Sequence, residues 1–191
     1  MNSKLWRPAE TTVERRLRAG RRELCILPKS MKAATVNEIK RELKSLEPEA
    51  LQELCMRLAK YKKENKELLT YLLYEADNEQ AYIAAIKEDM DTLFTELPAN
   101  KNLYYVKKSL RKILRFVNKQ IKYSGIKTTE LELRIYFCSK VQEANVPLRP
   151  SSVMYNLYQQ QLKKIYTIVV KLPDDLQMDY QREIQAIDST S

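Results

Sequence analysis

Only two glycines, Gly20 and Gly125, stand in 191 residues, and there is no histidine. An average protein carries about 7% glycine. Glycine is the residue that takes positive φ without steric cost, so a chain this poor in it favours long helices joined by economical loops. The missing imidazole takes away the usual general base and the commonest metal ligand. Both absences point to helix surfaces, rather than a chemical centre, as the working parts.

The hydrophobic pattern agrees. Apolar residues make up 44% and charged residues 31% of the chain, the mixture expected of helices with one apolar and one charged face. No run approaches the roughly 18 apolar residues of a membrane span, and patches such as Ile168-Val169-Val170 are soon followed by lysine, so integral membrane association is not expected. Cys25, Cys55 and Cys138 are odd in number and widely spaced, without a CxxC pair. That composition indicates neither a disulfide framework nor a zinc site and suits a reducing cytoplasm.

Residues 1–30 carry eight cations against Glu10, Glu14 and Glu23, which is +5 of the total +9. They read as a basic, poorly ordered N-terminal extension before a single all-helical domain over 31–191. Met31, just ahead of the first clear helix signal, is an alternative start. From there the helical punctuation is regular. Thr35 and Glu38 form a capping box, and Pro48 suits the first turn of a second helix. Lys63–Tyr74 either continues that helix or forms a third, and Asp77-Asn78 breaks the pattern before a helix ending near Pro98. Leu103–Ser124 is the longest amphipathic stretch and stops at Gly125. Thr129 and Glu132 suggest another capping box, Ser151 caps a long helix running to Pro173, and Asp174 caps a last one. No segment alternates with period two. The expected fold is all-α without a sheet: an irregular antiparallel helical bundle, or a short α-α helical-repeat array, of about seven or eight helices.

The stretches Leu58 to Leu73 and Lys107 to Arg115 resemble an uncharacterised bacterial family of helical proteins. The resemblance spans about Met31 to Ile187 and implies a helical fold. It implies no activity, cofactor or site residue.

The candidate contact surface is Leu103–Ser124. On a helical wheel of about 100° per residue, Lys107, Lys108, Arg111, Lys112, Arg115, Lys119 and Lys122 fall within about 140°, with Tyr104 among them. Leu103, Val106, Leu110, Ile113, Leu114, Val117 and Ile121 fall on the other side. Like charges at i,i+4 repel, so a stripe of cations implies a compensating anion. Nucleic-acid phosphate is one candidate. The internal alternative is the acidic segment 75–96, which holds seven carboxylates against Lys87 alone and directly precedes the basic helix.

No glycine-rich phosphate loop, GxSxG elbow, HExxH or calcium loop occurs in the chain, and no cofactor or metal is expected. The expected function is that of a non-enzymatic helical binding or scaffold protein working through protein–protein contacts or self-association. Nucleic-acid binding through helix 103–124 is the alternative.

Overall fold

The computed structural model describes residues 32–98, 103–148 and 152–188. Among these residues the chain forms eight α-helices and no strand: α1 Val36–Lys44, α2 Pro48–Tyr61, α3 Lys63–Thr70, α4 Glu79–Thr95, α5 Leu103–Ser124, α6 Lys127–Glu143, α7 Val153–Val169 and α8 Asp174–Asp188. A five-residue π-helical segment, Tyr71–Glu75, follows α3 directly. The contacts divide the chain into two compact units, one ending at Lys66 and the other beginning at Glu67. The basic extension expected over 1–30 lies outside the described residues.

The first unit is built from local signals. The Thr35 hydroxyl accepts from the Glu38 amide at 3.3 Å while the Glu38 carboxylate accepts from the Thr35 amide at 2.7 Å, so α1 starts on a complete capping box. Pro48 occupies the first turn of α2. That helix ends at Lys62, which is extended, and the Asn65 side-chain amide donates to the Leu58 carbonyl at 2.9 Å. An orphan carbonyl of the terminus is thereby satisfied, and α3 starts as a separate helix. None of the residues of α1, α2 or α3 is buried.

The second unit holds the core. Its central element is α6, which packs against α4, α5, α7 and α8. Surrounded in this way, α6 buries Leu131, Leu133, Ile135, Phe137, Cys138 and Val141, and so lacks the single apolar stripe of a surface helix. Arg134 is buried with them; its guanidinium donates to Glu130 at 2.8 and 3.1 Å and to the Gln161 side-chain carbonyl at 2.6 Å. The buried charge is therefore paired and hydrogen-bonded, the condition under which burial is tolerated. Tyr158, fully buried on α7, donates to the Ile187 carbonyl at 2.6 Å and ties the end of α8 to the core.

Hydrogen bonds fix the helix directions. Tyr82 near the start of α4 donates to the Gln120 side chain near the end of α5 at 3.0 Å, and Gln142 near the end of α6 donates to Tyr158 early in α7 at 2.8 Å. Both pairs are antiparallel. The turn between α5 and α6 depends on Gly125, whose φ of +68° is the left-handed conformation that a side chain disfavours.

Glu79, in the first turn of α4, joins these elements. Its carboxylate accepts from Tyr71 of the π segment at 2.8 Å, and from Ser124 at the end of α5 and Thr129 of α6 at 2.5 Å each. Thr129 is thus a buried residue inside α6, not its cap. The helix starts two residues earlier, at Lys127, while Glu132 pairs with Lys87 at 3.2 Å and accepts from Tyr180. The capping box expected at Thr129 and Glu132 is absent because both side chains are taken by other helices. At α7 the observed cap is Ser152, whose hydroxyl accepts from the Tyr155 amide at 3.1 Å; Ser151 lies outside the described residues.

Candidate nucleic-acid interface

The basic stretch forms one unbroken helix, α5, with the bounds expected from sequence. It contains no proline or glycine, and it buries Val106, Leu110, Ile113, Val117 and Ile121 toward the core. Leu114 is half-buried, and Leu103, at 48% exposure, leaves the apolar face. The C-terminal half is anchored by Tyr82 and by Glu67, which accepts from Lys119 at 2.8 Å and from Tyr123 at 2.7 Å. Burial of one face fixes the opposite face to solvent.

There Lys108, Arg111, Lys112, Arg115 and Lys122 are exposed and Lys107 and Lys119 half-buried. Tyr104, Lys107, Lys108, Arg111 and Arg115 line one shallow cleft of about 550 Å³, together with Leu114 and Asn118. The Lys107 ammonium lies 5.8 Å from the centroid of the Tyr104 ring, within cation–π range. Arg115 Nε donates to the Arg111 carbonyl at 3.3 Å, so the two guanidinium-bearing turns are locally braced. Lys112, Lys119 and Lys122 lie outside the cleft lining. Asn118 on this face and half-buried Leu114 at its border carry no charge, which is why a search for cations passes over them.

Among the described residues, the acidic segment that precedes α5 forms one ion pair with this stripe. Of its carboxylates, Glu79 serves the hydroxyl cluster, Asp91 accepts from Tyr136 at 2.8 Å and pairs with Lys140 at 3.0 Å, and Glu96 reaches Lys112 at 3.6 Å. The Lys112–Glu96 pair is well exposed on both sides, a class that contributes little. Among the described residues, Lys107, Lys108, Arg111, Arg115 and Lys122 form no ion pair.

Elsewhere the titratable groups serve the fold. Burial raises the Glu79 carboxyl, but the hydrogen bonds from Ser124, Thr129 and Tyr71 together outweigh it and hold the group below its ordinary 4.5. Burial pushes the Cys138 thiol up to about 12, which keeps it protonated and a poor nucleophile. No group of three or more potential ligands able to hold a metal ion occurs among the described residues, and none of their helices is long and apolar enough to cross a membrane.

No family model, curated protein or solved structure matches the chain. The functional reading therefore rests on the residues and their geometry.

Proposed function

We propose that the chain is a non-enzymatic binding protein whose helix α5 holds the phosphate backbone of a nucleic acid. One observation carries the reading: five cations share a helix face and, among the described residues, form no ion pair, while Glu79 and Asp91 of the preceding helix are held by other partners. Such a stripe destabilises its own helix, by about 0.2–0.5 kcal/mol for each like-charged i,i+4 pair. Phosphate contacts offset that cost. From Lys107 to Lys122 the face runs about 22 Å, about six base-pair steps of a duplex measured along its axis.

Binding of a fluorescent oligonucleotide to the full chain, measured across a salt series, tests this. Affinity is expected to fall linearly with salt on logarithmic axes, with a slope set by the number of phosphates neutralised. Charge reversal of Lys107, Lys108, Arg111 and Arg115 to glutamate is expected to abolish it. Unchanged binding by that variant would remove α5 as the site.

A second reading has its own observation. In the first unit Val36 is 81% exposed, Leu58 60% and Tyr61 76%, and no residue of α1 or α2 is buried. Apolar helix faces left open in this way suit a protein partner or self-association. Sedimentation over a concentration series tests it, and a strict monomer with no bound protein would count against it. A cytoplasmic location fits both readings, given the free thiols of Cys55 and Cys138.

A further inference from the structure

Resting on the phosphate-binding reading of α5, we infer that the strand it takes is unpaired and that Tyr104 and Tyr105 stack on its bases. Phosphate contacts alone do not identify an unpaired strand, because a duplex also presents phosphates, and at higher charge density. The aromatic residues at the N-terminal end of α5 make the distinction. Tyr104 is 62% exposed and Tyr105 53%, and their rings meet edge-on with centroids 5.3 Å apart. Tyr71, Tyr82 and Tyr158 of the same unit are all below 8% exposure and spend their rings in the core. Large aromatic faces beside a cation stripe are the two components of a sequence-tolerant single-strand groove.

The cleft orders these components along the helix. Tyr104 stands at one end, Lys107, Lys108, Arg111 and Arg115 follow, and Leu114 and Asn118 complete the lining. A base stacked on Tyr104 places the next phosphates along the cations one and two turns away. Leu114 supplies an apolar contact to a second base, and the Asn118 amide offers one donor group and one acceptor to a base edge. Stacked inside a duplex, base faces are closed to such rings; in an unpaired strand they are open.

The test compares 12-nucleotide oligo-dT, 12-nucleotide oligo-U and a 12-base-pair duplex on the full chain by fluorescence anisotropy at low salt. Both single strands are expected to bind more tightly than the duplex, and the difference between the two identifies DNA or RNA as the source of the strand. Tyr104→Ala with Tyr105→Ala is expected to weaken single-strand binding about tenfold or more and duplex binding distinctly less. Tyr104→Phe with Tyr105→Phe is expected to restore it, since stacking needs the ring and not the hydroxyl. Both tyrosines are exposed, and circular dichroism of each variant confirms that the helices are retained. Equal or tighter duplex binding, or no loss in the alanine variant, overturns the inference; if charge reversal still abolishes binding, the phosphate reading survives it. Failure of all three oligonucleotides, with binding of a poly-glutamate peptide instead, overturns both and assigns the face to an acidic protein.

Discussion

Two regions of this chain carry equally regular helical patterns and use them differently. In α1 and α2, Val36, Ile39, Leu43, Leu51 and Leu58 recur at helical spacing, with a complete capping box and a proline in the proper first turn. All five are exposed. In α4 to α8 similar spacings produce a core in which Met90, Val117, Leu131, Phe137 and Ile165 are fully buried. Periodicity states that a helix has an apolar face. Whether that face is covered depends on how many neighbours the topology supplies, and among the described residues the central helix with four neighbours belongs to the second unit.

The largest expected effect separates the two units directly. Phe137→Ala should destabilise the protein by about 3–5 kcal/mol, the usual cost of a cavity left by a fully buried aromatic ring. Ile39→Ala, at 48% exposure, should stay within about 0.5 kcal/mol of the parent. Urea unfolding of both variants at several protein concentrations measures the contrast. A large loss in Ile39→Ala that grows with protein concentration would mean that the face of α1 is covered by another copy in solution, and the difference between the units would shrink accordingly.

A smaller effect is expected at Glu79, which holds α4, α5, α6 and the π segment together through three hydroxyls. Glu79→Gln removes the charge and half the acceptor capacity, and should cost about 1–3 kcal/mol. The pH dependence has a definite sign. Glu79, Glu130 and Asp91 all titrate below their ordinary values in the folded protein. Below their ordinary values the unfolded chain therefore binds more protons, and stability present at neutral pH is lost as pH falls from about 4.5 downward. Glu79→Gln should flatten that acid limb. An unchanged limb would place the acid sensitivity on other carboxylates.

How much of this was readable beforehand follows the range of each interaction. The Thr35–Glu38 box, Pro48 at its first turn, the bounds of α5 and the stop at Gly125 depend on residues within one turn of each other, and sequence shows them. Thr129 carried the same local signal and was misleading, because a carboxylate fifty residues away claims its hydroxyl. The break at Lys62 stayed open between two readings for the opposite reason: no proline or glycine marks it, and Asn65 accompanies it by reaching back seven residues. At the candidate site the cations and Tyr104 were visible as a face. That Asp91 and Glu79 turn toward α6 and the α5–α6 corner, leaving those cations unpaired, depends on rotation of α4 about its axis, which local sequence does not encode.

The smallest effect bears on that rotation. Arg111 has like-charged neighbours at Lys107, Lys108 and Arg115, which are i−4, i−3 and i+4 on the same exposed face. Each such pair costs about 0.2–0.5 kcal/mol, and glutamine is about as good a helix former as arginine. Arg111→Gln should therefore raise stability by about 0.5–1.5 kcal/mol at low ionic strength, against the usual tendency of substitutions to destabilise. Because exposed charges are screened over about 10 Å at 0.1 M salt, the gain should fade as salt is added. Urea unfolding at two salt concentrations reads both the sign and the fading. A salt-sensitive loss of stability would mean that a carboxylate of the protein holds Arg111 in solution, and the cationic face would then be closed from within and no longer available to a phosphate backbone.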